Sequence, residues 1–104
     1  MKIACDFDSV ICQREGIPTK GNTVDCRPVE GAKEAIEQFL KKGYEIYILT
    51  NREGKRKDEA KNWLKKWEFP ALRITNIKEE NTSVYLDDRA VRFINWQDFR
   101  KFYF

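Results

Sequence analysis

Acidic and hydroxyl side chains directly follow three apolar runs of this 104-residue chain. Asp6 and Asp8 follow the first run, Thr50 ends the second, and Asp87 and Asp88 follow the last clear one. Carboxylates that are crowded together repel one another unless a cation lies among them. Oxygen donors without nitrogen or sulfur ligands suit Mg²⁺. If the fold joins these positions, the residue types predict a magnesium site.

An alternation of strands and helices would bring these positions together. Runs rich in apolar residues and β-formers at 2–7, 44–49 and 83–87 predict strands. Between them, apolar residues recur at helical spacing over 32–40 and 60–67. This pattern favours an α/β fold with a parallel sheet and helices on its faces. Such sheets bind ligands at the carboxyl ends of their strands, where all the candidate side chains would lie.

Three other stretches carry weaker signals. Residues 9–28 contain two glycines and two prolines with little periodicity, which predicts a loop that could act as a flap, with room for a small hairpin. Residues 71–74 indicate a weak strand. The aromatic-rich stretch 90–104 receives no assignment.

The three strand ends resemble motifs of the haloacid dehalogenase superfamily. The sequence D-F-D-S-V at 6–10 resembles the first motif, I-L-T-N-R at 48–52 the second, and V-Y-L-D-D-R at 84–89 the fourth. The third motif is a single lysine, for which Lys78 is the assignment and Lys57 the alternative. The chain resembles this superfamily over essentially its whole length. That implies a Rossmann-like three-layer α/β sandwich without a cap domain, as one domain spanning 1–104.

The resemblance implies a magnesium-dependent phosphomonoester hydrolase with a role for each matching residue. Asp6 would attack phosphorus and form an aspartyl-phosphate. Asp8 would protonate the leaving oxygen and later deprotonate the attacking water. Thr50 would hydrogen-bond a phosphoryl oxygen, and Lys78 would neutralise charge on the phosphoryl group.

The metal ligands implied by the resemblance are Asp6, the backbone carbonyl of Asp8, and the pair Asp87 and Asp88. Which member of that pair binds Mg²⁺ directly is left open. Ser9 departs from the family, whose members usually carry glycine after the second aspartate. A serine is tolerated there if its φ stays negative, and otherwise the loop differs and activity falls.

The substrate is expected to be large or polyanionic. Residues 9–28 are too few for a cap, so the site should be open unless an oligomer, such as a dimer, supplies a lid. Segment 52–66 carries seven basic and three acidic residues. Asn51, Arg52 and Lys57 are therefore predicted to bind a phosphorylated substrate such as a nucleic-acid 3′-phosphate. The layout also resembles the phosphatase half of polynucleotide kinase-phosphatases.

A row of basic residues on the second predicted helix fits the same substrate. Lys57, Lys61 and Lys65 recur every four residues, which puts them on one helix face. Positive charge near a phosphatase site would attract a polyanion. The alternative is a solvated face opposite the two tryptophans of that helix.

Composition argues against several other kinds of catalysis and classes of protein. The chain has no histidine, which excludes Ser-His-Asp and Cys-His catalysis. Its three cysteines without an export signal argue against a disulfide framework. No apolar run approaches the roughly 20 residues of a spanning helix, so a cytoplasmic protein that does not enter the membrane is expected.

Two further functions compete with hydrolysis. One is a non-catalytic module that binds phosphate or a partner through the same fold, which Ser9 and the small size keep open. The other is a receiver-type phosphoacceptor domain. Receivers place the acceptor aspartate at the end of a middle strand, and Thr50 stands at the corresponding position here, which disfavours that function.

Overall fold

A computed structural model describes residues 1–13 and 26–103, so most of the predicted flap, 9–28, lies outside the described residues. Strands and helices alternate as far as the third strand, which a fourth strand follows with no helix between them, in a Rossmann-like α/β arrangement. The elements are β1 Lys2–Cys5, α1 Ala32–Lys41, β2 Glu45–Leu49, α2 Lys55–Lys66, β3 Arg73–Thr75, β4 Val84–Leu86 and α3 Trp96–Tyr103.

The four strands form one parallel sheet in the order β3-β2-β1-β4. Ile3 lies in register with Ile46 of β2 on one side and with Val84 of β4 on the other. The pairing continues past β1, because the Asp6 N–H donates to the Leu86 carbonyl at 2.9 Å. The carboxyl ends of β1, β2 and β4 therefore meet at one edge, and β1 is central among them.

The hydrophobic core lies between one face of the sheet and helices α1 and α2. Side chains on this face alternate with those on the other, as a period of two requires. The Phe7 ring, which follows β1, meets the Trp63 ring edge-on at 5.3 Å between centroids. The core is built from Ile3, Cys5, Phe7, Ile11, Cys12, Ile36, Ile46, Ile48, Ala60, Trp63, Leu64 and Phe69.

The opposite face of the sheet is held by a polar cluster around Tyr47. This side chain is fully buried, and its hydroxyl lies 2.7 Å from Thr82 Oγ1 and accepts the Glu79 N–H at 3.0 Å. Arg73 forms ion pairs with Glu79 and Glu45. Because these contacts fix the connection between β3 and β4, they also fix where β4 delivers the acidic pair at its end.

Cys12 and Cys26 form a disulfide, with Cα atoms 6.0 Å apart. This differs from the expectation that no disulfide forms. The segments on either side of 14–25 run side by side, and the Gln13 N–H donates to the Arg27 carbonyl at 2.9 Å, so the two cysteines come within bonding reach. Cys5 is a free, buried thiol, and burial raises its pKa to about 11.

Other sequence expectations can be compared directly. The three predicted strands and the two predicted helices are present, and the weak strand at 71–74 corresponds to Arg73–Thr75. The unassigned stretch 90–104 contains helix α3. In the described residues, no helix has both the length and the apolar character needed to cross a membrane.

Candidate functional site

A cleft of about 710 Å³ opens at the carboxyl edge of the sheet. Almost all of the predicted site residues line it, although they come from separate parts of the chain. These are Asp6, Asp8, Thr50, Asn51, Arg52, Lys78, Asp87 and Asp88. Lys57 is exposed on α2 and is not among the lining residues, whereas its neighbour Arg56 is.

Three of the four predicted acidic side chains form a cluster. Asp6, Asp87 and Asp88 each offer a carboxylate oxygen, and these oxygens lie within 4.8 Å of one another. Asp6 is half-buried, and the other two are exposed. Oxygen-only donors at this spacing fit Mg²⁺, which binds through one or two carboxylates and keeps several waters. The side chain of Asp8 is not part of this cluster.

The Asp6 carboxyl group is electrostatically strained. Burial raises its pKa to about 6, and the nearby carboxylates of Asp87, Asp8 and Asp88 contribute in the same direction. The Phe7 N–H donates to Asp6 Oδ1 at 2.8 Å and opposes part of this shift. A divalent cation among these oxygens would favour the ionised form. A cation bound among these oxygens would therefore compete with protons for Asp6.

Asp8 is held by Arg52 in a two-point ion pair. Arg52 Nη2 donates to Asp8 Oδ1 at 2.9 Å, and Nε donates to Oδ2 at 3.1 Å. The Arg52 residue is only 3% exposed, and its guanidinium lies 5.3 Å from the centre of the Phe7 ring. This geometry orients the Asp8 carboxylate. It also shows that Arg52, predicted to bind substrate, already has a protein partner at the base of the cleft.

Thr50 is fixed at the end of β2. Its N–H donates to the Thr75 carbonyl at 2.9 Å, which carries the pairing with β3 one residue past the strand. Its side-chain oxygen accepts the Arg52 N–H at 3.3 Å, and the residue is buried at the cleft floor. Thr50 and the Asp8–Arg52 pair are therefore connected through one short loop.

The two candidates for the motif lysine are separated by their positions. Lys78 lines the cleft, and its Nζ lies 5.4 Å from the centre of the Tyr85 ring. That ring, on β4, sits next to the strand end that carries the acidic pair. Lys57, Lys61 and Lys65 are exposed on α2. The placement favours Lys78, and the assignment of its role stays a prediction.

Ser9 adopts a left-handed backbone conformation with φ 71°. Its N–H donates to the Cys12 carbonyl at 2.8 Å, and the N–H groups of Ile11 and Cys12 both donate to the Phe7 carbonyl at 3.0 Å. These bonds close a tight turn directly after Asp8. The negative φ under which serine would be tolerated is therefore not adopted, and the turn has the geometry that favours glycine.

Three cleft residues were not predicted to have a role: Arg56, Asn76 and Arg89. Asn76 directly follows β3, and its side chain donates to Glu53 Oε1 at 2.6 Å. Its position after a strand is the same signal that identified the other residues. The Arg89 N–H donates to Asp87 Oδ1 at 2.8 Å, which shapes the turn that bears the acidic pair.

One known protein resembles part of this chain in sequence. No family model matches the chain. Over 48 residues it is 40% identical to an Oceanobacillus iheyensis protein that is provisionally named a nucleotidase, a match covering 46% of this chain and 26% of that protein. The chain thus spans only about a quarter of that relative's length.

A solved structure shares the fold of this chain. The structure of a conserved protein from Bacteroides thetaiotaomicron superposes with a TM-score of 0.66. The alignment covers 97% of this chain and 87% of that one, at 20% sequence identity. Identity at this level indicates a common α/β fold and says nothing about activity.

Proposed function

We propose that this chain is a phosphomonoester hydrolase of the haloacid dehalogenase type, which uses Asp6 as nucleophile and requires Mg²⁺. The observation that carries this proposal is the juxtaposition at the end of β1. A half-buried Asp6 lies beside two further carboxylates, with ligand oxygens within 4.8 Å, and an oriented Asp8 lines the same cleft. The partial likeness to a protein named as a nucleotidase agrees with hydrolysis of phosphate esters.

The metal would be held by Asp6, Asp87 and Asp88, with the Asp8 carbonyl as a further ligand. When bound, Mg²⁺ would neutralise charge between an anionic nucleophile and an anionic ester, the main obstacle to this reaction. The cation would also keep the Asp6 carboxyl group in its ionised, reactive form. Its carboxyl group is otherwise half-protonated near pH 6, and only the ionised form is a nucleophile.

The chain's own residues would divide the reaction into two steps. In the first, an Asp6 oxygen bonds to phosphorus, the ester P–O bond breaks, and the leaving oxygen takes a proton from Asp8. In the second, water attacks the same phosphorus, Asp8 takes one of its protons, and the Asp6–phosphorus bond breaks. Asp8 gives up its proton in the first step and regains one in the second, so the complete cycle restores the protonation state of the enzyme.

Arg52 would position Asp8 for these proton transfers. The guanidinium contacts both Asp8 oxygens, so the carboxylate is kept from turning away from the cleft.

Phosphoryl oxygens would be bound by Thr50 and Lys78, with Asn51 and Arg56 at the cleft wall. Because the cleft is open and bordered by cations, the proposed substrate is a large or polyanionic phosphomonoester, such as a nucleotide or a nucleic-acid 3′-phosphate. Lys57 would act only on a substrate long enough to extend along α2.

The first experiment is a phosphatase screen with Mg²⁺ over nucleotides, sugar phosphates, phosphopeptides and 3′-phosphorylated oligonucleotides. Turnover that disappears with a chelator and in Asp6→Asn supports the proposal. The variant removes the nucleophile and little volume, so circular dichroism should be unchanged. Turnover at the wild-type rate in Asp6→Asn would refute the mechanism.

A non-catalytic phosphate-binding module is the second candidate function. Two observations favour it: the Asp8 carboxylate is tied to Arg52, and Ser9 occupies a turn suited to glycine. Inorganic phosphate that binds in the cleft, without turnover of any ester in the screen, would support this function.

The sequence also predicted a cytoplasmic location. The Cys12–Cys26 disulfide is an observation against that location, because disulfides are rare in the cytosol.

A further inference from the structure

We propose that two copies of this chain associate through the aromatic surface of α3 and the segment before it. This aromatic surface consists of Val91, Phe93, Ile94, Trp96 and Phe102, all of them exposed. Ile94 and Trp96 are 70% exposed and Phe102 is 80% exposed. The inference goes beyond the proposed function and does not depend on it.

The rings of this surface are already arranged. The Phe93 and Trp96 centroids lie 5.4 Å apart, and those of Trp96 and Phe99 lie 6.0 Å apart, both edge-on. Trp96, Phe99 and Phe102 are spaced by three residues, so they form one stripe along α3. Because rings that already contact one another edge-on lose little further freedom on binding, the surface is prepared for a partner.

Helix α3 needs such a partner. It has 8 residues, and isolated helices this short are not stable in water. Asn95 begins the helix by accepting the Asp98 N–H on its side chain at 2.8 Å, which satisfies only one end. Packing of the apolar stripe must supply the remaining stability of the helix. The described residues leave most of that stripe exposed.

The exposed area suits a protein interface. The five side chains, weighted by their exposed fractions, present roughly 650 Å². The largest apolar patch on a typical monomer is about 300–600 Å², and each side of a standard interface buries about 800 Å². The patch is therefore large for a free surface and close to one half of a stable dimer.

Strand β4 leads into the segment before α3 and, as an edge strand, favours a second copy as the occupant. It stands at the end of the sheet order and pairs only with β1 among the described strands. Tyr85 and Leu86 are about half-exposed there. An edge strand is a template for another edge, and a copy of itself, related by a twofold axis, offers a matching one. The second copy would also border the cleft, since β4 leads directly into Asp87 and Asp88.

The association is tested by sedimentation velocity over a range of protein concentration. The wild-type chain should shift from the 12.4 kDa monomer toward twice that mass. Trp96→Glu with Phe102→Glu should weaken association at least about thirtyfold, as loss of central aromatic contacts does. Ile77→Glu, at an exposed apolar residue outside the aromatic surface, is the matched control and should associate like the wild type.

Two results would overturn the proposal. These are a wild-type chain that stays monomeric at high concentration and a folded double glutamate variant that still dimerises. A wild-type monomer that instead binds a different protein through α3 would also overturn it.

Discussion

The backbone at Ser9 predicts that Ser9→Gly stabilises the protein. Ser9 is exposed and has φ 71°, in the left-handed region. A residue with a Cβ pays about 1–2 kcal/mol in that region, because the Cβ approaches the following carbonyl. Glycine avoids this cost but loses about 0.5–1 kcal/mol more backbone entropy on folding. The net expected gain is about 1 kcal/mol.

Thermal and denaturant unfolding measure this gain. For a domain of this size, about 1 kcal/mol corresponds to a rise in Tm of roughly 4–8 °C. Asn81→Gly is a matched control, because Asn81 has φ 64° and lies far along the chain from the nucleophile turn. It should gain somewhat less, since asparagine tolerates this conformation better than serine. Ser9→Ala keeps the Cβ and should show no gain.

A Ser9→Gly variant that is no more stable than the wild type would show that the turn is not strained in this way. A gain in Ser9→Ala equal to that of Ser9→Gly would point to the hydroxyl rather than the backbone. Under the proposed function, Ser9→Gly should also turn over at least as fast as the wild type, since the turn then matches the family pattern.

Three further predictions concern charge. The pKa of Asp6 is raised to about 6, so its contribution to stability is present below about pH 4 and is lost as pH rises through about 6. After allowance for solvent screening of this half-buried group, the loss is about 1 kcal/mol. Mg²⁺ should therefore raise the Tm near pH 7.5 and barely at pH 4.5, and an equal effect at both would contradict the carboxylate site. Arg52→Gln should cost about 1–2 kcal/mol in urea unfolding, because it removes the two-point contact between the buried guanidinium and Asp8, whose side chain is 31% exposed; a change below about 0.5 kcal/mol would show that the pair is not structural. The last prediction concerns the basic row on α2, which consists of Lys57, Lys61 and Lys65. If this row guides a polyanion, changing all three lysines to glutamine should flatten the salt dependence of oligonucleotide affinity and leave hydrolysis of a small aryl phosphate unchanged. An unchanged salt slope would mean that the row is only a solvated face.

The sequence predicted the parts of the fold that local pattern determines. The apolar runs that form β1, β2 and β4 are short and bounded by polar residues. Because helical patterns lie between the first two and follow the second, the sequence predicted a parallel sheet. Once the sheet is parallel, the strand ends must share an edge. The convergence of Asp6, Asp87 and Asp88 follows from that geometry together with the pairing of β4 beside β1, which the sequence did not predict.

Other features depend on contacts that have no local signature. The Arg52–Asp8 pair joins residues 44 apart in sequence, and nothing in either neighbourhood marks one as the partner of the other. The φ of Ser9 is set by the turn that three backbone hydrogen bonds close. The Cys12–Cys26 bond depends on the closeness of two chain segments, whereas the argument against it concerned the cellular compartment.

The aromatic stretch near the carboxyl end shows a different limit. Trp96, Phe99 and Phe102 recur at a spacing of three, yet the helix is too short for the pattern to stand out from its neighbours. Burial usually confirms a helical stripe, and here most of the stripe is exposed. A pattern that serves an interface between copies leaves no trace in the packing of one chain.

The most direct test of the proposed mechanism is to trap the phosphoryl group on the chain. Asp8→Asn should slow the second step more than the first with an activated aryl phosphate, because that leaving group needs no proton while the attacking water still requires a base. Rapid acid quench followed by peptide mass spectrometry should then find one phosphoryl group on Asp6. Turnover without any phosphorylated peptide, or a phosphoryl group on another residue, would contradict nucleophilic attack by Asp6.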